Sequence, residues 1–214
     1  MSGCAFSLGH YRELLEHARA GGYRFAGFDD APRSGDLILR HDVDLSLEAA
    51  VALAEVEAEA GAHSTWFLMT RSAFYNLDSE RGARALERLR ELGGRLAQHA
   101  VWPELERDPR FEPLLAWHNP EPEYMCAPLE GVSNVMAPPW FHPDNYRSDS
   151  NQHWRSGCPH EALRKGEFEW LQLLTHPEIW VFDGASMRET MESFLDADRS
   201  TRRELLAADR IDLS

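Results

Sequence analysis

Two aspartates that flank a single valine form the acidic pair with the clearest chemical potential in this sequence. Asp42 and Asp44 stand in the segment RHDVD, directly after the apolar run Leu37-Ile38-Leu39, which indicates a strand. Side chains two residues apart on a strand point to the same face, so these carboxylates lie close together and repel. A metal ion, a proton or another cation must balance their negative charge. This suits a pair in which one carboxylate binds a metal ion and the other acts as a general base. The alternative is an acidic cluster that stabilises the N-terminus of the following helix.

Histidines at the ends of other apolar runs extend this pattern. His99 and His118 each follow such a run, and with one aspartate they provide two nitrogen ligands and one oxygen ligand. This set of ligands suits Zn²⁺, or Co, Ni or Mn, and leaves a coordination position for water. Taken alone, either histidine can equally be interpreted as a structural residue. His176 follows a third run and is interpreted as a turn residue or as a general acid or base. His41, beside Asp42, is a further supporting candidate.

Polar and aromatic residues nearby allow two interpretations each. Asp149 and Arg155, in YRSDSNQHWR, form a surface ion pair, or else they orient a catalytic histidine or bind a polar substrate. Trp117 fills the core or offers a stacking surface for a sugar ring. The six histidines that do not end an apolar run are expected to be surface or local structural residues; they are His10, His17, His63, His142, His153 and His160. The sequence contains no nucleophile elbow, P-loop or dinucleotide fingerprint.

Composition excludes several classes of function. The 214 residues include 22 basic and 36 acidic side chains, for a net charge of −14, which argues against binding to nucleic acid. The length predicts a single domain over residues 1–214. No apolar run reaches the ~18 residues of a membrane span, and the first nine residues lack the pattern of a secretory signal. Cys4, Cys126 and Cys158 lack CxxC spacing, so we expect neither disulfides nor a cysteine zinc knuckle. This cysteine usage predicts that the protein is located in the reducing cytoplasm.

Short apolar runs alternate with amphipathic stretches along the chain, which predicts a mainly parallel α/β sheet. Helices are expected after Ser7, Ser46 and Ser79, and a last one from Met187 to about Ala208. Strands are expected at Leu37 to Asp44, Thr65–Met69, Arg95–His99, Leu114–His118, Asn145–Ser148 and Trp170–Thr175, with a long loop between Pro120 and Pro143. Polar residues follow each apolar run. This arrangement is typical of an active site at the strand C-termini of a barrel.

Four ordered segments resemble the polysaccharide deacetylase (NodB-homology) superfamily, in the branch whose first motif reads HDVD. They are LRHDVDLSLEAAVALAEVEAEAGAHSTWF, RSAFYN, YRSDSNQHWR and LQLLTHPEIW, and the resemblance spans roughly residues 37–182. It implies a distorted (β/α)7 barrel with a metal site at the strand C-termini. It also implies hydrolysis of an amide, typically the N-acetyl group of an amino sugar.

The resemblance also implies roles for individual residues. Asp42 matches the general base and Asp44 the metal-binding carboxylate, although these two roles are open to exchange. His99 matches the first metal histidine, and His176 matches the general acid of the last motif. The sequence departs from the family at Pro103, where the second metal histidine usually lies, and His118 is expected to replace it. A second departure is Gly94, where relatives commonly have histidine.

The expected function is therefore a cytoplasmic, metal-dependent deacetylase that acts on a small carbohydrate or amide. One alternative is another amide or ureide hydrolase on the same barrel. The other is a metal-poor domain that binds a glycan or a partner protein without turnover, which Pro103 and Gly94 motivate. The acidic surface favours a neutral or cationic product over an anionic polymer.

Overall fold

The computed structural model of this protein describes residues 4–103 and 107–211, which form a mixed α/β fold. Its α-helices are α1 (Leu8–Ala20), α2 (Leu47–Glu59), α3 (Glu80–Glu91), α4 (His160–Arg164), α5 (Pro177–Val181) and α6 (Met187–Ala208). Its strands are β1 (Arg24–Ala26), β2 (Asp36–Val43), β3 (Thr65–Met69), β4 (Arg95–Ala100), β5 (Leu114–Trp117), β6 (Ser133–Asn134), β7 (Tyr146–Ser148) and β8 (Leu171–Thr175). Two short 3₁₀ helices, Pro143–Asn145 and Ser150–Gln152, flank β7.

Serine side chains begin the helices that the sequence predicts. The hydroxyl oxygens of Ser7, Ser46 and Ser79 accept hydrogen bonds from the third backbone N–H beyond each, at 3.2, 3.1 and 3.0 Å. These bonds satisfy N–H groups that have no partner inside the first turn. Ser186 caps α6 in the same way. The predictions of α1, α2, α3 and α6 are therefore confirmed, with bounds within one residue or two.

The strands form one curled, all-parallel sheet that is flanked by helices and resembles half of a barrel. The strand order is β6-β5-β4-β3-β2-β8-β7, and β1 pairs with the first part of β2. Strand β2 is central and buried along its whole length, between β3 on one side and β8 on the other. Because all the pairs are parallel, the C-terminal ends of the strands meet at one edge of the sheet.

Alternation along the strands separates two hydrophobic cores. On the outer face, Leu37, Leu39 and Trp66 pack with the helices in the larger cluster. On the concave face, Ile38 and Phe67 belong to a smaller cluster. Because side chains on a strand alternate between the two faces of the sheet, Arg40 and Asp42 lie on the same concave face as Ile38. The alternation therefore directs Arg40 and Asp42, near the C-terminal end of β2, onto the concave face.

Several short elements are absent from the sequence-based prediction. These are β1, β6, α4 and α5, with three, two, five and five residues. Elements this short contain too few residues for hydrophobic periodicity to indicate them. The segment between Pro120 and Pro143 is mostly turns, as predicted, but it includes β6, which extends the sheet beyond β5. No helix in the described ranges is long and apolar enough to cross a membrane.

Candidate metal centre and active site

A cavity of about 480 Å³ opens at the C-terminal edge of the sheet. This volume lies within the range of small-molecule sites, about 300–1,000 Å³. Strand ends provide much of its polar lining, including Arg40, Asp42, Asp44, His99, His118 and His176. The segment between Pro120 and Pro143 provides a mostly apolar wall, including Met125, Met136 and Phe141. The predicted position of the site, at the ends of the strands, therefore agrees with the location of this cavity.

Three side chains from three strand ends place their ligand atoms in a nearly equilateral triangle. Asp44 Oδ1 lies 3.2 Å from His99 Nε2 and 3.2 Å from His118 Nδ1. The two histidine nitrogens are 3.1 Å apart. Ligands about 2.0–2.1 Å from a tetrahedral Zn²⁺ are separated by about 3.3 Å, so the triangle has the size that such an ion requires. The predicted set of Asp44, His99 and His118 converges as one group.

Hydrogen bonds outside the triangle orient its nitrogen atoms. His99 Nδ1 donates to the carbonyl oxygen of Ala116, 2.8 Å away, which leaves the lone pair on Nε2 directed at the triangle. His118 Nε2 lies 3.3 Å from the side-chain amide of Asn119. Asp44 Oδ1 is buried and has no hydrogen-bond partner among the described residues. A buried carboxylate oxygen without a donor, facing an imidazole lone pair, fits a bound cation.

The charges of these groups also favour a cation. Burial by itself raises the pKa of Asp44, but His118 and His99 hold that pKa well below its ordinary value. In return, the Asp44 carboxylate raises the pKa of His118 above its ordinary value, against the opposing effect of burial. Without a metal ion, a proton on imidazole compensates the carboxylate. A divalent ion would compensate it more completely, because it can bind all three groups at once.

Asp42 lies beside the triangle and forms a buried ion pair with Arg40. Arg40 Nε and Nη2 donate to the two oxygens of Asp42, at 2.8 and 2.6 Å. Burial raises the pKa of the Asp42 carboxyl, but the Arg40 guanidinium outweighs it and holds the pKa below its ordinary value. Asp42 Oδ2 is 3.8 Å from His99 Nε2, so the carboxylate faces the triangle without joining it. Asp42 is thus ionised, fixed in orientation and open to the cavity.

His176 forms a second buried pair on the opposite side of the cavity. Its Nδ1 donates to Asp149 Oδ1 at 2.7 Å, and its backbone N–H donates to Asp149 Oδ2 at 3.0 Å. Trp180 Nε1 donates to the same Oδ2 at 2.7 Å. Burial lowers the pKa of His176, but Asp149 raises it to about 10. Of the two interpretations of Asp149, the structure matches the one in which it orients a histidine.

Two of the predicted supporting residues are buried, and one of them, His41, lies outside the cavity lining. His41 is on the outer face of β2, where its ring stacks on Trp66 and its nitrogens contact Thr175 and Glu57. Period-two alternation explains this, because His41 lies between Arg40 and Asp42. Trp117 borders the cavity, but it is 1% exposed and packs edge-on against Trp102. His41 therefore supports the outer face of β2, and the buried ring of Trp117 matches the interpretation in which it fills the core.

Arg155 and the departures from the family pattern have distinct positions. Arg155 lines the cavity and is exposed, and within the described ranges it forms no ion pair, so the predicted pairing with Asp149 is wrong. Gly94 precedes β4, at the end of the sheet opposite the cavity. A Cβ there would lie 2.6 Å from Trp66 Nε1, which leaves no space for a histidine. Pro103 is exposed, and His118 from β5 occupies the third corner of the triangle.

Three residues contribute to the site without having been predicted. Arg40 could have been found from its alternation with Asp42 on the same strand. Tyr75 donates its hydroxyl to the carbonyl oxygen of Val43 at 2.7 Å and accepts the Met69 N–H at 2.8 Å, which joins the ends of β2 and β3. Glu178 is 2% exposed, and burial raises its pKa to about 8. No sequence pattern indicates that Tyr75 and Glu178 are close to Asp44.

A slightly larger cavity, about 530 Å³, lies between α2, α3 and α6. Its lining includes Phe74, Phe194 and Leu205 but no histidine or cysteine. The smaller cavity is therefore the one in which potential metal ligands and a paired acid and base meet. Comparisons of the chain with protein-family models, with curated proteins and with solved structures find no match.

Proposed function

We propose that this protein is a metal-dependent hydrolase that cleaves an amide C–N bond. The principal candidate reaction is the deacetylation of an N-acetylated amino sugar or a related carbohydrate, as the resemblance implies. The observation that carries the proposal is the 3.1–3.2 Å triangle of Asp44, His99 and His118. Asp42 and His176, each paired with an oppositely charged partner, line the same cavity. The curled parallel sheet supports the further proposal of a distorted (β/α)7 barrel.

In this proposal the triangle holds a divalent ion, with Zn²⁺ as the first choice and Co, Ni or Mn as alternatives. Carboxylate and imidazole ligands suit all of these ions, and three protein ligands leave a position open. When bound, the ion supplies Lewis acidity, which lowers the pKa of water towards neutrality and polarises the substrate carbonyl. Tyr75 fixes the strand end that carries Asp44, and Ala116 fixes the ring of His99.

The protein's own residues then perform the proton transfers. Asp42, held ionised by Arg40, accepts a proton from the attacking water. His176, held protonated by Asp149, donates a proton from Nε2 to the departing amine. Because the carboxyl pKa of Asp42 is lowered and the imidazole pKa of His176 is raised, the two groups are in these starting states at neutral pH.

The cavity wall favours a second candidate, the hydrolysis of a C–N bond in an amide or ureide that is not a sugar. Trp117 is buried and offers no ring face to a sugar. Arg155 and Arg147 line the cavity and provide positive charge that suits an anionic group on the substrate. We propose a cytoplasmic small molecule as the substrate in both cases. A domain that binds a ligand without turnover is the alternative outcome of the experiment below.

Metal analysis and a substrate panel test the proposal. The full chain, reconstituted with Zn²⁺ or Co²⁺, is assayed for acetate release from N-acetylated amino sugars and for amine release from N-acyl amino acids and ureides. We expect the substitution His118→Ala to weaken the metal affinity of the triangle at least about 100-fold, since even partners behind the ligands contribute 10–100-fold. Turnover should be lost in parallel.

The matched control is His63→Ala, because His63 is an exposed histidine before β3, at the end of the sheet opposite the cavity. This variant should retain the wild-type metal content and rate. Full metal content and full activity in His118→Ala would remove His118 from the site. Wild-type protein that binds metal at the triangle but hydrolyses nothing in the panel would favour a binding domain.

A further inference from the structure

A second cluster of metal-binding side chains lies on the outer side of the sheet, where the segment before α1 meets the segment before α4. One ligand atom from each of Cys4, His10 and Cys158 lies within 4.8 Å of the other two. His10 Nε2 is 3.2 Å from Cys158 Sγ, although the two residues are 148 positions apart in the sequence. All three residues are partly buried. We propose that Cys4, His10 and Cys158 form a structural Zn²⁺ site, separate from the triangle in the cavity.

The contacts behind the cluster support this assignment. Glu13 Oε2 lies 2.9 Å from His10 Nδ1, so the carboxylate accepts the Nδ1 proton and leaves the Nε2 lone pair facing the thiols. A carboxylate behind a histidine ligand is the usual arrangement at zinc sites, because it fixes the tautomer and the ring orientation. Trp154 Nε1 donates to Cys4 Sγ at 3.2 Å, which stabilises negative charge on that sulfur.

The distances agree with tetrahedral coordination. With Zn–S about 2.3 Å and Zn–N about 2.0 Å, neighbouring ligand atoms are separated by about 3.5–3.8 Å. The 3.2 Å between His10 Nε2 and Cys158 Sγ is slightly shorter than this separation, and no pair of ligand atoms in the group is more than 4.8 Å apart.

His160 lies beside the cluster and is the candidate for a fourth ligand, although its ligand atom groups with those of His17 and Glu161 in this structure. Its ring lies 5.2 Å from the ring of His10, between centroids, and it is two residues beyond Cys158. His160 Nδ1 is buried, and no described residue forms a hydrogen bond with it. Two cysteines and two histidines make one of the common ligand sets of structural zinc.

Cobalt substitution distinguishes the two sites of the protein. Sulfur-to-Co²⁺ charge transfer absorbs in the near ultraviolet and requires thiolate ligands, which the triangle of Asp44, His99 and His118 does not contain. We expect fully reduced wild-type chain to show this absorption on titration with Co²⁺, and Zn²⁺ to displace it. The His118→Ala variant should retain this absorption, because its cysteine cluster is unchanged. The experiment can therefore refute the cysteine site without refuting the proposed hydrolase, and the reverse.

Variants decide the assignment. Cys4→Ser and Cys158→Ser should each abolish or strongly reduce the charge-transfer band, and His10→Ala should weaken Co²⁺ binding there about 10-fold or more. Cys126→Ser is the matched control, because Cys126 is exposed and contacts Met136 instead of the cluster. Its band should equal that of the wild type. A fully reduced wild-type chain that shows no such band on titration with Co²⁺ would overturn the proposal. So would an undiminished band in both Cys4→Ser and Cys158→Ser.

Discussion

Replacing Asp149 with asparagine tests how the fold keeps His176 protonated. The Asp149 carboxylate is fully buried and accepts hydrogen bonds from the ring and backbone of His176 and from the indole of Trp180. Asparagine has almost the same shape, so Asp149→Asn removes the charge while the packing is nearly unchanged. Any change in the protonation of His176 then reports on that charge.

The magnitude follows from two opposing effects on the pKa of His176. Burial lowers this pKa, and the Asp149 carboxylate raises it to about 10. Once the charge is removed, burial dominates and the pKa falls below its ordinary value of about 6.5. A histidine with a pKa of 6.5 is only about 10% protonated at pH 7.5. The population of protonated His176 at that pH should therefore decrease at least about 10-fold.

An NMR titration of the His176 ring measures this without any substrate. Metal-free wild-type protein should titrate well above neutrality, and Asp149→Asn below pH 6.5. Trp180→Phe is the control, because it removes a donor to the same carboxylate but keeps the charge beside His176, so its titration should stay above neutrality. The reasoning is refuted if wild-type His176 titrates near 6.5, or if Asp149→Asn titrates like the wild type.

The same pKa makes stability depend on pH in a defined direction. Because the folded-state pKa of His176 is raised, its stabilising contribution is complete below the unfolded value of about 6.5 and is lost as the pH rises through about 10. The difference in melting temperature between wild type and Asp149→Asn should therefore be larger at pH 6 than at pH 10. A difference that increases towards pH 10 would contradict this sign.

Two further substitutions probe the proton acceptor and the far end of the sheet. Asp42→Asn should reduce turnover by about 10²–10⁴-fold, the usual contribution of a general base. The zinc content of this variant, measured by elemental analysis, should equal that of the wild type. Loss of zinc would instead show that Asp42 is a metal ligand. Gly94→Ala should lower the free energy of unfolding by about 1–3 kcal/mol through overpacking against Trp66, with metal affinity unchanged. At Gly93 a Cβ meets no atom within 4 Å, so Gly93→Ala should cost only the backbone strain of its positive φ, about 1 kcal/mol, as measured by chemical denaturation.

The sequence was most informative where one local rule decides the structure. Ser7, Ser46 and Ser79 located the starts of three helices, because the cap depends only on a side chain and the N–H three residues later. The expected convergence of His99 and His118 with one aspartate followed from the meeting of parallel strand ends at one edge, and the resemblance assigned that role to Asp44. His41, named only as a supporting candidate, lies on the other face of β2, because a one-residue step along a strand changes the face.

No local sequence pattern predicted the contacts between segments that are distant in the chain. His10 and Cys158 meet only because α1 and the segment before α4 pack on the same side of the sheet. The spacing argument against a cysteine metal site considered only ligands close in sequence. Tyr75 and Glu178 reach the surroundings of Asp44 through a loop and a five-residue helix, which have no periodicity that predicts their position.

The two proposed sites are joined by a layer of indole rings. Trp154 donates to Cys4, and Trp180 donates to Asp149, the residue that holds His176. The rings of Trp154 and Trp180 lie 6.2 Å apart, and Phe6 contacts both. Trp154 therefore has its N–H on a sulfur and Trp180 has its N–H on a carboxylate, while both rings lie in the same packed layer. A metal ion on the cysteines would fix one side of this layer, and the carboxylate of Asp149 fixes the other. The orientation of His176 thus depends on packing that begins at the segment before α1.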